Sequence, residues 1–263
     1  MEIGMIGLGR MGGNMVMRLL RRNHRVLVYD HSAEIVSRYT SHGAVGAASL
    51  EELLGTFEQR PRVVWVMVPA GDPTSQTIRR IADLGDPGDI VIDGGNSNWK
   101  VALEDAALVT GRGLHYLDAG TSGGIWGLEE GYSLMVGGDQ SAFDYTLPLL
   151  QALAPDDGGL VHTGPKGSGH FVKMVHNGIE YALMQAYAEG FELLQRGPSQ
   201  GMDVHGIAEA WRSGSVVRSW LLDLIADGLA RTRGWSRSAA MSRTRARAAG
   251  RWTLLSTARS RRP

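Results

Sequence analysis

The chain has 263 residues, of which 43% are hydrophobic and 21% charged, a composition typical of a globular protein with a sizeable core. It contains no cysteine, which excludes disulfide scaffolds, cysteine-ligated metal sites and cysteine nucleophiles. Its most apolar run, residues 63–70, is too short to span a membrane, and the chain starts without the basic segment of a signal peptide. We therefore expect a cytoplasmic protein without a membrane partner.

The formal net charge of zero conceals an uneven distribution. Residues 231–263 contain ten Arg and no acidic side chain, which leaves 17 basic and 27 acidic side chains in residues 1–230. An acidic body repels nucleic acid, so we predict that the chain has no nucleic-acid partner.

Short apolar segments alternate with helical patterns over residues 1–165. The pattern predicts strands at residues 2–6, 26–29, 63–68, 90–92, 115–118, 134–136 and 160–162. It predicts helices at residues 11–22, 49–57, 74–84 and 142–153. Because the strands are apolar on both faces, they indicate a parallel sheet covered by helices, as in a doubly wound, Rossmann-like α/β domain.

The pattern changes after residue 165. Residues 171–195 predict one long helix, and further helices are predicted at 204–211 and 216–230. The chain is therefore expected to contain a Rossmann-like domain at 1–165 and an all-α domain at 166–230. The Arg-rich tail at 231–263 is aberrant and is expected to lie outside the native fold.

Residues 7–12 read G-L-G-R-M-G, a G-x-G-x-x-G motif that follows a predicted strand and opens a predicted helix. In that context the glycines permit a tight turn, a close approach of backbone to a pyrophosphate, and close packing of helix on strand. Asp30, at the end of the second strand, can bind both ribose hydroxyls and would repel a 2′-phosphate, so the sequence favours NAD over NADP. The predicted cofactor-binding residues are Gly7, Leu8, Gly9, Arg10, Met11, Gly12, Asp30, Val68, Pro69, Ala70 and Asn96.

Polar residues cluster at three places, namely residues 93–97 (DGGNS), residues 121–124 (TSGG) and the predicted long helix. On that helix, one face carries five different functional groups at i, i+3, i+4, i+7 and i+8. These are Lys173, His176, Asn177, Glu180 and Tyr181. Such variety on one face favours a substrate site, and the alternative is a partly buried polar seam between two domains.

Residues 169–181, which read GHFVKMVHNGIEY, resemble the signature of the decarboxylating 6-phosphogluconate dehydrogenases. The glycine-rich start, residues 93–97 and the S-G-G at 122–124 also match that family, and the resemblance covers about residues 1–230. Asp30 resembles the shorter, NAD-preferring branch. Related 3-hydroxy-acid dehydrogenases share the glycine-rich and S-G-G elements, but usually lack the I-E-Y found here at residues 179–181.

The resemblance implies oxidative decarboxylation of 6-phosphogluconate to ribulose 5-phosphate with NAD, a reaction of the pentose phosphate pathway and gluconate metabolism. It implies Lys173 as the general base and Glu180 as the general acid, with no metal, and by analogy a homodimer formed through the helical domain. The residues implied to hold this sugar-phosphate acid are Asn96, Ser122, Gly123, Gly124, His176, Asn177 and Tyr181.

Two alternatives stay open. The first is a 3-hydroxy-acid dehydrogenase, which would release reduced nicotinamide without carbon dioxide. The second is a catalytically inactive NAD-binding chain, because the composition of its last residues is abnormal.

We interpret residues 231–263 as translated in a shifted reading frame. From Arg231, the bases that encode RTRGWSRSAAMSRTRARAAGRWT can also encode EDPGLESLRGDVEDSGEGRWTV, an acidic string with GC-rich codons. Its D-S-G-E-G-R-W-T segment resembles what the short branch carries after a W-R-x-G-x-x-x-R-S helix, present here at residues 211–219. The alternative is a basic tail that binds nucleic acid.

Overall fold

The computed structural model describes residues 1–197 and 201–231. The Arg-rich tail from residue 232 onward, and with it the interpretation of a shifted reading frame, lies outside the described residues. The chain divides into two compact units, Met1–Val175 and a second that begins at His176. Within the described part, none of the helices is both long enough and apolar enough to cross a membrane.

Within the described residues, the first unit is built around an eight-stranded sheet. In chain order the strands are β1 Glu2–Ile6, β2 Arg25–Tyr29, β3 Val45–Gly46, β4 Val63–Val66, β5 Ile90–Asp93, β6 His115–Ser122, β7 Ser133–Gly138 and β8 Leu160–Gly164. They lie side by side in the order β3-β2-β1-β4-β5-β6-β7-β8. The predicted doubly wound, Rossmann-like class is thereby confirmed.

One pair of strands corrects the prediction of a parallel sheet. β7 runs antiparallel to β6, with Ala119 opposite Val136, whereas the other neighbouring strands are parallel. The reason is the short connection at residues 123–132. A parallel return needs a crossover of a dozen or more residues, whereas an antiparallel strand can follow a shorter segment.

The described helices are α1 Arg10–Arg21, α2 Ala33–Thr40, α3 Leu50–Gly55, α4 Asp72–Leu84, α5 Trp99–Gly111, α6 Gly127–Glu130, α7 Gln140–Leu153, α8 Ser168–Arg196, α9 Val204–Trp211 and α10 Trp220–Arg231, with a 3-10 turn at Gly124–Trp126. The sequence pattern did not predict α2, α5 or β3. It placed the start of α10 at residue 216, which is wrong, because the Ser219 hydroxyl accepts a hydrogen bond from Leu222 N at 3.1 Å and caps the helix there.

The sheet is covered on both faces. Successive residues of β4 point to opposite sides, so Trp65 packs in one buried apolar cluster, whereas Val64 and Val66 pack in the other. The second unit has its own small core, in which Phe191 of α8 packs with Ala208 of α9 and Leu222 of α10. This helical core agrees with the predicted all-α class.

Arg18 of α1 has a buried side chain that reaches the ends of two other helices, α6 and α7. Its guanidinium donates to four backbone carbonyl groups, those of Leu128 (3.3 Å), Glu129 (3.2 Å), Ala152 (3.1 Å) and Ala154 (2.7 Å). These carbonyls lie at or just beyond the ends of α6 and α7, where backbone acceptors lack helical partners. Arg18 therefore joins the glycine-rich helix to the segment that follows Ser122–Gly124.

We predict that Arg18→Met lowers the free energy of unfolding by about 3 kcal/mol, because it leaves buried carbonyl groups without donors. The matched control is Arg21→Met. Arg21 lies on the same helix as Arg18, and its substitution removes an exposed ion pair with Glu129. The control should lose no more than about 1 kcal/mol. Urea unfolding of both variants tests this, and equal losses would contradict the role given to Arg18.

Candidate active site

A cavity at the glycine-rich turn lies where the strand order changes direction. β1 pairs with β2 on one side and with β4 on the other, and the carboxyl ends of these strands border a cavity of about 940 Å³. Open α/β sheets bind ligands at this position. The predicted residues that line the cavity are Gly7, Gly9, Arg10, Met11, Gly12, Asp30, Val68 and Pro69.

Two glycines of the motif are required by the backbone itself. Gly7 has φ of +89°, and a Cβ there would collide with the Met67 carbonyl oxygen. A Cβ on Gly12 would collide with the carbonyl oxygen of Gly7, so this glycine lets α1 begin close to β1. Around Gly9, by contrast, the space is open, and no side chain caps the start of α1 there. The open backbone at this helix start fits a pyrophosphate.

Asp30 shapes the same turn. Its Oδ2 accepts a hydrogen bond from Leu8 N at 2.8 Å, and its Oδ1 accepts one from Ser32 N at 3.0 Å. The carboxylate therefore anchors the glycine-rich loop while it faces the cavity.

Three predicted cofactor residues do not border this cavity. Leu8 packs its side chain in the core and offers only its backbone, and Ala70 and Asn96 lie outside the lining. Sequence reasoning missed a set of lining residues that includes Gln76, Thr77 and Arg80 of α4. Their i, i+1 and i+4 spacing on the helix after the third predicted strand was the available signal.

A second group of polar side chains surrounds Asp93, at the end of β5. Its Oδ1 accepts from Gly95 N (3.0 Å) and Ser97 Oγ (3.1 Å), and its Oδ2 accepts from Tyr116 Oη (3.2 Å). His170 Nε2 lies 3.1 Å from the same Oδ2, as an ion-pair contact in which the ring N–H is not aligned for a hydrogen bond. Asp93 therefore holds the loop that carries Asn96 and also touches α8.

Asp118 caps the start of α8. Its two carboxylate oxygens accept hydrogen bonds from Gly167 N (2.6 Å) and His170 N (2.7 Å). Glycines then let the helix lie directly on the sheet, since a Cβ on Gly120 of β6 would sit 2.5 Å from Lys173 Cβ. A Cβ on Gly169 would collide with the Asp118 carbonyl oxygen. The predicted base is thereby held against β6.

Burial and charge act in opposite directions on these groups. Burial acts to raise the pKa of Asp93, but the His170 ring and the hydrogen bonds from Ser97 and Gly95 lower it below its ordinary value. Burial acts to lower the pKa of His170, but the carboxylates of Asp93 and Asp118 raise it above 6.5. Asp93 and His170 thus form a buried ion pair.

The other predicted residues of the long helix lie beyond the first unit, which ends at Val175 within α8. His176, Asn177, Glu180 and Tyr181 are half-buried. His176 Nδ1 lies 3.4 Å from Asn177 Oδ1 and 3.7 Å from Glu180 Oε2. These three polar side chains form one local cluster.

The S-G-G segment ends β6. Ser122 pairs with Ser133 of β7, and both following glycines adopt positive φ, +143° at Gly123 and +53° at Gly124. A side chain at Gly123 would be strained and would lie 3.0 Å from the Gly131 carbonyl oxygen. Within the described residues, we find no group of three or more His, Asp or Glu side chains arranged to hold a metal ion.

Comparison with known proteins gives matches over both units. Residues 2–164 match the NAD binding domain of 6-phosphogluconate dehydrogenase, and residues 169–261 match the C-terminal domain of 6-phosphogluconate dehydrogenase. A Haloferax volcanii protein named as the NAD(+)-dependent, decarboxylating 6-phosphogluconate dehydrogenase is 47% identical over 224 residues. The alignment covers 85% of this chain and 73% of that relative.

Solved structures give the same fold. The Plasmodium falciparum 6-phosphogluconate dehydrogenase, solved in its apo form, with NADP+ and with 6-phosphogluconate, aligns with a TM-score of 0.81 and 30% identity. That alignment covers 88% of this chain and 51% of the other. A Mycobacterium tuberculosis 3-hydroxyisobutyrate dehydrogenase aligns with a TM-score of 0.70 and 24% identity, over 90% of this chain and 89% of the other, which is a likeness of fold.

The buried ion pair predicts a pH-dependent stability. Because the folded pKa of His170 lies above its ordinary 6.5, its stabilisation is fully present below pH 6.5 and is lost as pH rises through the folded pKa. The difference in free energy of unfolding between the wild type and His170→Gln should therefore decrease as pH rises above about 6.5.

Urea unfolding across that pH range measures the difference. As the control, His170→Gln is also made in an Asp93→Asn background, where the main source of the raised pKa is absent and the pH dependence should be weaker. A difference that stays constant with pH in the wild-type background would contradict the ion pair.

Proposed function

Because the chain belongs to the 6-phosphogluconate dehydrogenase family, we propose that it oxidatively decarboxylates 6-phosphogluconate to ribulose 5-phosphate with NAD. The observation that carries this proposal is the placement of α8. The first of its signature residues 169–181 pack on β6, a strand of the same sheet whose other strands border the cofactor cavity. The name of the Haloferax volcanii relative supports both the decarboxylation and the choice of NAD.

We propose that Lys173 is the general base. Its neutral amine takes the proton of the hydroxyl on the third carbon of the substrate, which requires a pKa lowered by burial or by nearby positive charge. Bound NAD would supply the acceptor for the hydride that leaves the same carbon. The resulting 3-keto acid loses carbon dioxide because its carbonyl group accepts the electron pair of the broken bond.

We propose that protonated Lys173 stabilises the oxygen of the enediol left by decarboxylation, and that Glu180 then protonates the first carbon. The proximity of His176 and Glu180 supports this assignment, because a neighbouring imidazole can restore the proton that the carboxyl group gives up.

The proposed cofactor site is the cavity at the ends of β1, β2 and β4. The start of α1 would take the pyrophosphate, and Asp30 would take the ribose hydroxyls. Val68, Pro69, Ala70 and Asn96 remain proposed cofactor contacts. The proposed substrate contacts are Asn96, Ser122, Gly123, Gly124, His176, Asn177 and Tyr181.

The remaining proposals concern organisation. We propose a cofactor domain at 1–165, a substrate and dimerisation domain at 166–230, and a cytoplasmic homodimer. We propose that the tail at 231–263 comes from a shifted frame and that its lost phosphate contacts weaken substrate binding. Resequencing the coding DNA tests the frame, and codons unable to encode the acidic string would refute it.

Turnover assays discriminate between the functions. Purified protein is incubated with 6-phosphogluconate and NAD, and reduced nicotinamide and carbon dioxide are both quantified. Equal amounts of the two products support the proposal. Reduced nicotinamide alone would favour a 3-hydroxy-acid dehydrogenase, and NAD binding without turnover would favour an inactive chain.

We predict that Lys173→Met lowers kcat by about 10²–10⁴-fold or more, while the Kd for NAD stays near the wild-type value. Lys100→Met, an exposed lysine beside Trp99, is the control and should retain activity. Glu180→Gln should preserve hydride transfer better than ketose release, because its step follows decarboxylation. Equal loss of NAD binding in the Lys173 and Glu180 variants would instead indicate a structural helix face.

We predict that Asp30→Asn weakens NAD binding by about 10–100-fold, as expected for the loss of charged hydrogen bonds of about 1.5–3 kcal/mol. NADP binding should weaken less, because the repulsion of a 2′-phosphate disappears. Glu34→Gln, an exposed acid in the first turn of α2, is the control. Calorimetric titration measures both affinities, and a wild type that prefers NADP would overturn this reading of Asp30.

A further inference from the structure

Asp93 joins three segments of the first unit. Its carboxylate accepts from Gly95 N and Ser97 Oγ, which flank Asn96 on the loop after β5. It also accepts from Tyr116 Oη of β6 and lies 3.1 Å from His170 Nε2 of α8. Both members of the Asp93–His170 pair are almost fully buried, with 0% and 3% of their surfaces exposed.

The position of His170 on its helix gives this contact a consequence. His170 and Lys173 are three residues apart, so they occupy adjacent turns of one side of α8. The same stretch of helix is fixed to β6 by the Asp118 cap and by the approach of Gly120 to Lys173 Cβ. A shift at His170 would therefore be transmitted to Lys173 through one turn of helix.

Stability alone is a weak reason to bury this pair. The cost of desolvating two charges often exceeds their attraction, and a well-packed apolar pair can be equally stable or more so. A buried charge pair does tie its two partners to each other, because separating them would leave each charge buried without its counter-charge. Here the pair joins the loop of one proposed substrate contact to the helix of the proposed base.

We propose that Asp93 and His170 are a positioning pair, which holds the loop that carries Asn96 against α8 and sets the position of the Lys173 amine. The proposal deepens the proposed function, and it rests on that function for the role of Lys173 as the base. In this proposal, neither Asp93 nor His170 contacts the substrate.

The composition of the chain allows a direct test. The protein contains three lysines, Lys100, Lys166 and Lys173. Reductive methylation with ¹³C-formaldehyde labels the lysine amines and the N-terminal amine, and Lys→Arg variants assign the three lysine signals in the NMR spectrum. The titration of each signal reports the surroundings of its amine without requiring catalysis.

We expect His170→Gln and Asp93→Asn each to move the titration midpoint of Lys173 by about 0.5 pH unit or more. The signals of Lys100 and Lys166 should stay in place. The matched control is Asp139→Asn, which removes the partner of Lys166 and should move the Lys166 signal but not that of Lys173.

Retained NAD binding identifies the variants that have folded. If both buried substitutions abolish NAD binding, Tyr116→Phe is used in their place. This variant removes the hydroxyl group that donates to Asp93 Oδ2, and it should still move the Lys173 signal. An unmoved Lys173 signal in a folded variant overturns the proposal. Equal movement of all three lysine signals also overturns it, because it would indicate general loosening.

Kinetics separate this proposal from the proposed function. Where the wild type turns over 6-phosphogluconate, His170→Gln should lower kcat by about 10–100-fold with little change in the KM for NAD, as expected for a misplaced catalytic group. A raised KM for NAD with unchanged kcat would overturn the positioning role. A wild type without turnover contradicts the proposed function alone, and the Lys173 signal then decides the positioning pair.

Discussion

The close packing of the start of α8 on the sheet is the constraint on which the candidate site depends. Gly169 leaves no room for a side chain above the Asp118 carbonyl, and Gly120 approaches Lys173 Cβ from β6. Asp118 then fixes the first turn through Gly167 N and His170 N. Without these small residues the helix would lie farther from the sheet, and Lys173 would move away with it.

The cofactor cavity, at the carboxyl ends of β1, β2 and β4, is organised by a different set of contacts. There the turn after β1 bends back because Gly7 adopts positive φ, and Asp30 ties that turn to the end of β2 through Leu8 N. Arg18 holds the other end of α1 by donating to carbonyls of the segment after Ser122–Gly124. One helix therefore connects the cofactor turn to the region of the S-G-G segment.

The sequence predicted the fold best where the positions of apolar residues and of glycines indicated the same element. The strand at residues 2–6, the glycine-rich turn and α9 were predicted at or within a residue of their bounds, because apolar periodicity and glycine placement are local signals. α2 was missed because none of its residues is buried, which leaves no apolar face to detect. β7 was predicted as a strand at 134–136, but its antiparallel direction was missed, because strand direction depends on how the short segment 123–132 packs, which periodicity does not encode.

The roles of two strand-end acids show the same limit at the site. Asp30 was predicted as a ribose contact, and its hydrogen bonds to Leu8 N and Ser32 N were not, because they depend on the folded turn. Asp93 was seen only as part of a polar cluster, and its contact with His170 joins residues 77 positions apart. Long-range pairs of this kind leave no local pattern in a single sequence.

Asp93 and Asp118 explain why a histidine occupies position 170. They are register partners on the adjacent strands β5 and β6, and both are fully buried. Burial raises the pKa of Asp118, and the neighbouring Asp93 carboxylate raises it further. A histidine is short enough to sit within the first turn of α8, and its charge compensates both acids. A neutral side chain there would leave two buried carboxylates beneath the proposed base without the positive charge of His170.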